Sequence, residues 1–398
     1  MRAALAALAW VALAGTVAPA AGGPAGGRVA RLAADFGVRL FREAVGRRGG
    51  GNAVFSPHGA AAVLAALQLA TAGPSRRQLE AAMGFGIDEP GVALELRRLR
   101  QALGGPGSRL AAAEGLFVAR ELPLAPGAVA RFVQALGRPP AQVAFGQPQR
   151  ARDVLNAWVQ NHTHGSIRGF LPPGAAGPGT RLLLASAVGF GGSWLRPFPA
   201  AATRRRPFHR PDGSAAPAPM MEQTARLRHG EFVTPQGLEY DVAELPYGGG
   251  DVSMLVAAPA RRHVPLAALA GALDGALVAA WAANMTRATR VLVLPRFSLE
   301  TAWDLRAPLE AMGVRAVFQP AAADFSALCA EEPLFLAQAL QKVRIQVNES
   351  GTEAAAATAA VVYSRMAPPE IRMDRPFLFL VRHNPTGTIL FMGQVTDP

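Results

Sequence analysis

The residues whose types and spacing could do chemistry are few. Cys329 is the only cysteine, so no intramolecular disulfide can form, and no activating base stands near it in sequence. His162 and His164 have the spacing of two ligands on a strand, but no carboxylate or thiol accompanies them, so they read as loop histidines and no metal is expected. There is no Gly-x-Ser-x-Gly elbow, no His-Glu-x-x-His, no phosphate loop and no Gly-x-Gly-x-x-Gly. The chain therefore offers no catalytic constellation, and no cofactor is expected. What remains is a long run of tiny side chains, "GTEAAAATAAVVYS", that ends in a lone basic residue, Arg365.

The run before that arginine has its own physical chemistry. Counted as a strand, Thr352, Ala354, Ala356, Thr358, Ala360 and Val362 share one face, and Glu353, Ala355, Ala357, Ala359, Val361 and Tyr363 the other. Side chains this small would let the segment slide between two existing strands and gain backbone hydrogen bonds on both sides. A flexible Ala-rich linker or a fraying helix fits the same composition, and the segment alone leaves that choice open.

The elements that must position it follow the hydrophobic period. Leu32, Phe36, Leu40 and Phe41 predict an amphipathic helix from Val29 to Ala44. Ser56-Pro57 starts a second, apolar on nearly every side and ended by Gly73. Val92, Leu96, Leu99 and Leu103 form a third stripe, and "VLNAWVQNHTHGSIRGFLP" a fourth helix reaching toward Gly165. Later runs such as "RLLLASAVGF", "VSMLVAAP", "RVLVLPRFSLE", "PFLFLVRH" and "TILFMGQV" are apolar on both faces, which predicts strands covered on both sides. The class is mixed α+β with large central sheets.

At 398 residues and 50% hydrophobic, the chain can bury a large core. The start, "MRAALAALAWVALAGTVAPAAGG", has the basic, apolar and small-residue parts of a secretory leader, so residues 1–20 are expected to be removed and 21–398 to fold as one domain. The apolar part is too short for a membrane span. Sequons at Asn161, Asn284 and Asn348 are candidate glycan sites in a secreted chain. The net charge is +12 and Lys342 is the only lysine. That balance suits an acidic or polyanionic partner, and equally a simple preference for arginine.

The segment "VNESGTEAAAAT" resembles the hinge of inhibitory serpins, the serine protease inhibitors that trap their target. The similarity extends over nearly the whole chain after the leader, through "NAVFSPHG", "LNAWVQNHTHGSI", "GSWLRPF", "ELPY", "LPRFSLE" and "DRPFLFLVRHNPTGTILFMGQV". The resemblance implies a fold of three β-sheets and about nine helices, with an exposed reactive-centre loop at about 349–370. It implies Arg365–Met366 as the reactive bond and Glu349, Gly351, Thr352, Glu353, Ala354, Ala355, Ala356, Ala357 and Thr358 as the hinge that inserts. It implies an Arg296–Glu349 pair and a buried Trp194 at the opening of the central sheet. The partners implied are tissue-type and urokinase-type plasminogen activators, with vitronectin through Arg120 and heparin or related glycosaminoglycans through Arg76, Arg77, Arg97, Arg98 and Arg100. Departures occur at Ser186 and Gly189, where the family has Asn and Tyr, and at Pro369, where a second acidic residue is expected beside Glu370.

A secreted, monomeric suicide inhibitor is thus the leading expectation, with no nucleic-acid partner. A non-inhibitory carrier of the same family and a mainly polyanion-binding extracellular protein are the alternatives. The small, Pro-free hinge favours the first.

Overall fold

The computed structural model describes residues 27–103, 110–351 and 368–398, so Thr352–Thr358, Arg365 and Met366 lie outside the described residues, as does the leader. The chain opens with helix α1 (Arg28–Gly46), strand β1 (Ala53–Phe55), α2 (Pro57–Ala70), α3 (Gly73–Met83) and α4 (Val92–Leu103). Next come β2 (Leu110–Ala119), α5 (Pro126–Leu136), β3 (Ala141–Val143), α6 (Pro148–His162) and β4 (Leu182–Phe190). The middle holds β5 (Arg204–His209), β6 (Ala215–Val233), β7 (Glu239–Pro246), β8 (Val252–Pro259), α7 (Leu266–Ala272), α8 (Gly275–Asn284), β9 (Thr286–Pro295) and β10 (Phe297–Asp304). It ends with α9 (Arg306–Ala311), β11 (Leu336–Val347), β12 (Glu370–Arg372), β13 (Phe377–His383) and β14 (Ile389–Val395). Nine α-helices among the described residues agree with the expected number.

Local signals explain most boundaries. Phe36, Leu40 and Phe41 are fully buried on one side of α1. At α2, Ser56 accepts a hydrogen bond from the Gly59 amide and Pro57 occupies the first turn, where its missing N–H costs nothing. The helix ends at Ala70, earlier than expected, because the Thr71 hydroxyl turns back to the Leu67 carbonyl. Gly73 instead opens α3 with a φ of 48°, a left-handed conformation that glycine adopts without strain.

Among the described residues the strands form two sheets rather than three. One has five strands in the order β10-β11-β4-β2-β3. The other has nine, running β1-β14-β13-β8-β7-β6-β9-β12, with β5 also on β6. The expected second and third sheets are continuous because β6 is 19 residues long. Its first part pairs with β5, its middle with β9 and its end with β7. The larger core packs α1 and α2 against the five-stranded sheet, and a second one fills the space between the sheets.

Candidate functional site: the seam between β4 and β11

In the five-stranded sheet, β4 and β11 lie side by side and parallel, from Leu336 opposite Leu182 to Ile345 opposite Phe190. Every other pair in that path is antiparallel except the β2–β3 edge. Parallel ladders are slightly less stable per residue than antiparallel ones. A segment leaving the end of β11 and folding back between the two would run antiparallel to both. The seam is therefore closed, but a better-bonded arrangement is open to it.

The top of the seam is where Glu349 and Gly351 sit. After Val347 the chain is tied to the segment following β4 by three backbone or indole donors. The Trp194 amide donates to Ser350 O (2.8 Å), its Nε1–H to Asn348 O (2.9 Å), and the Phe198 amide to Glu349 O (2.8 Å). Trp194 is buried and stacks on Tyr247 with ring centroids 4.4 Å apart. The Arg296 guanidinium donates to the Glu349 carboxylate, and the Thr203 hydroxyl donates to the same oxygen at 2.7 Å. Burial disfavours the Glu349 anion, but these two donors outweigh it and hold the carboxyl below its usual range. The sequence-expected trio of Arg296, Glu349 and Trp194 is thus brought together, and Thr203 and Phe198 join it.

Gly351 has a specific reason to be glycine. Its φ is 130°, and a Cβ there would come within 2.1 Å of Gly192 O and 2.7 Å of Ser193 Cα. Only a residue without a side chain allows this close bridge to Ser193.

Midway down the seam, a polar cluster holds its inner face. Gln341 on β11 exchanges hydrogen bonds with the Ser56 backbone, accepting from its amide (3.0 Å) and donating to its carbonyl (2.9 Å). It also donates to Ser186 Oγ on β4 at 3.3 Å. All three side chains are buried. On the outer face, the segment after α6 crosses β11. Lys342 Nζ donates to Arg168 O (2.8 Å), and Arg344 donates to Ser166 O (3.2 Å). Ser166 Oγ lies where a Cβ on Gly189 would fall, at 2.5 Å, so glycine there lets this strap press onto β4. Gln341, Lys342 and Arg344 carry no motif of their own, and sequence reasoning missed their roles. The alternation of Gln341, Val343 and Ile345 inward with Lys342 and Arg344 outward was the available signal.

The other expected sites are spread out. Arg76 is engaged by Glu80 and Asp88. Arg97 donates to Gln134 O and Arg100 to Ala135 O. Arg77 and Arg98 are exposed, with no ion pair or hydrogen bond among the described residues. Arg120 is exposed at the end of β2. Asn161 is exposed on the last turn of α6 and Asn284 ends α8. Asn348 uses its Oδ1 to accept from the Ser350 and Gly351 amides at the top of the seam. Cys329 is buried, and no cluster of three metal-ligating side chains occurs among the described residues.

Comparison with known proteins supports this geometry. The family model described as "Serpin (serine protease inhibitor)" matches residues 31–398. Plasminogen activator inhibitor 1 of Sus scrofa is 51% identical over 371 residues, covering 93% of this chain and 92% of that protein. Glia-derived nexin of Homo sapiens is 35% identical, covering 92% and 93%. The solved structure of native protease nexin-1 with heparin superposes with a TM-score of 0.87 at 34% identity, covering 93% of this chain and 99% of that one. Uncleaved ovalbumin does so with a TM-score of 0.84 at 26% identity, covering 94% and 100%. The chain belongs to the serpin family of serine protease inhibitors.

Proposed function

We propose that the chain is a secreted inhibitor of tissue-type and urokinase-type plasminogen activators, acting as a one-use trap, with residues 1–20 as a leader and 21–398 as one domain. Arg365 is presented to the protease specificity pocket, and the protease serine attacks its carbonyl; the Arg365–Met366 amide breaks, the Met366 nitrogen leaves as an amine carrying the serine's proton, and Arg365 remains as the acyl-enzyme ester. The segment before it, freed at its end, inserts between β4 and β11 and carries the attached protease along. The observation that carries this reading is the closed parallel seam, with Gly351 as the pivot at its top.

The lengths and energies are adequate. Residues 352–364 are thirteen in number, which at about 3.3 Å each span roughly 43 Å, enough to cover the seam from Ile345 to Leu336. Inserting a strand with ladders on both sides gains about a dozen hydrogen bonds, at ~1 kcal/mol net each, or on the order of 10 kcal/mol. Slowing deacylation by about a millionfold requires roughly 8 kcal/mol. The distortion needed is within that supply.

The similarity to plasminogen activator inhibitor 1 supports the choice of target. Heparin or a related glycosaminoglycan is the second proposed partner, through Arg76, Arg77, Arg97, Arg98 and Arg100, and vitronectin the third, through Arg120. To test the trap, the purified chain is mixed with urokinase-type activator and run on a denaturing gel beside Arg365→Ala. A band at the summed mass, absent in the variant, is the expected result. Clean cleavage without that band refutes trapping and favours a carrier.

A further inference from the structure

The Asn-x-Ser/Thr triplets of the sequence are not equivalent in the fold. Asn348 is half-buried at the top of the seam, where its Oδ1 accepts from the Ser350 and Gly351 amides at 3.0 and 3.1 Å. Asn284 closes α8 with its Nδ2 donating back to Ala280 O at 2.9 Å. Asn161 is exposed on the last turn of α6, and its side chain has no hydrogen bond among the described residues. Of the three side-chain amides it is the one with no bond to give up.

The surroundings of Asn161 set where an attached group would lie. Val154, Ala157 and Asn161 share one outward stripe of α6, since positions three and four apart stack on a helix. All three are exposed, Val154 to 50%. Helical side chains tilt toward the N-terminus, so a sugar on Asn161 leans back over Ala157 and meets Val154 roughly 10 Å along the axis. The neighbouring stripe is already filled. His162 stacks on Trp158 with ring centroids 4.4 Å apart, its Nδ1 bonded to Trp158 O at 2.8 Å, and Trp158 packs edge-on against Phe117.

We propose that Asn161 carries an N-linked glycan whose first sugars lie back along α6 and cover Ala157 and Val154. The inference rests on the secreted reading above, because the sugar donor belongs to the secretory route. In the transfer, Nδ2 attacks the anomeric carbon of a lipid-pyrophosphate-linked oligosaccharide. The carbon–nitrogen bond forms, the carbon–oxygen bond to the pyrophosphate breaks, the lipid pyrophosphate leaves and one amide hydrogen departs as a proton. Timing follows from Thr163, the third residue of the triplet. It is buried, its Oγ1 donating to Val159 O at 2.8 Å and accepting from the Ile167 amide at 3.3 Å. The hydroxyl that the transferase reads is sealed once α6 has folded, so the sugar is added while this segment is still open.

To test this, the full chain with its own leader is expressed in cultured animal cells, and medium and lysate are collected separately. Enzymatic glycan release in heavy-oxygen water marks an occupied Asn161 as a labelled aspartate, read by peptide mass spectrometry. Most of the chain in the medium should carry that label, and Asn161→Gln should be lighter by one glycan. Secreted chain without the label overturns the proposal alone; unlabelled chain found only in the lysate overturns it together with the secreted reading. Covering is read by hydrophobic-interaction chromatography. Val154→Ser should shift elution clearly earlier in the Asn161→Gln chain and scarcely at all in the glycosylated one, and equal shifts in both overturn the covering. If Asn161→Gln does not fold, chain trimmed enzymatically to a single sugar serves as the uncovered background.

Discussion

Replacing Glu114 by Gln should change how stability depends on pH, and the structure gives the size of the change. Glu114 stands in the middle of β2 opposite Ser186, part-buried with its Oε1 enclosed, and its carboxyl, pushed from 4.5 to about 7 by desolvation, holds its proton more tightly folded than unfolded. Its penalty is therefore absent below pH 4.5 and grows as pH rises, until it is complete above about pH 7. A shift of about 2.5 units corresponds to roughly 3 kcal/mol. Glutamine is neutral throughout and escapes it. With an unfolding entropy of about 2.1 cal/mol/K per residue, a chain of this size gains about 4 °C in melting temperature from 3 kcal/mol. Glu114→Gln and the parent should melt together at about pH 4.5 and differ by about 4 °C at about pH 8. Scanning calorimetry at both pH values, at a fixed heating rate, measures this. Parallel melting temperatures across the range would show that Glu114 is ionised without penalty, and would refute the reasoning from its burial.

Gly351→Val should break the bridge to Ser193 and lower the melting temperature, because a Cβ there meets Gly192 O and Ser193 Cα in the uninserted chain; scanning calorimetry measures it, and an unchanged melting temperature would refute the close-approach argument. Arg296→Ala removes one donor from Glu349, and since that arginine is half exposed the loss should be no more than about 1 kcal/mol, near 1 °C in melting temperature. The same pair makes the top of the seam weaken as pH falls through the depressed Glu349 value, visible as faster hydrogen exchange at the Trp194 and Phe198 amides once the pH drops below the ordinary glutamate range. Heparin affinity should fall with salt with a logarithmic slope of about two rather than five, because among the described residues only Arg77 and Arg98 of the five arginines have no partner to give up.

Much of this was legible in the sequence where local chemistry is strong. Ser56-Pro57 announces α2, the stripe of Phe36, Leu40 and Phe41 announces α1, and "RLLLASAVGF" reads as the doubly covered strand that β4 is. Resemblance supplied Arg296, Glu349 and Trp194, which are far apart in sequence and meet only because β11 returns beside β4. Other features left no such trace. The Ala-rich β2 does not read as a strand, and β6 carries Pro217 and Pro219, which propensity would place at a break. Both prolines fall in the half of β6 that β5 covers, before the ladder with β9 begins at Met220. Glu114 is one charge in an apolar run, and only the packing of α2, α4 and β2 around it shows that its Oε1 has no hydrogen-bond partner among the described residues.

The seam also bears on how such a protein changes over generations. In the proposed trap, the pull of an incoming strand would come from main-chain groups of β4 and β11, which are the same whatever side chain sits at the cleaved bond. Target choice and driving force would then be written in different chemistry, one in side chains near Arg365 and the other in peptide groups. A new protease can be met by rewriting a few letters around that bond. The scaffold asks only that alternate positions upstream stay small enough to lie against Ser186 and Gln341. Specificity can drift quickly on a device whose engine scarcely changes.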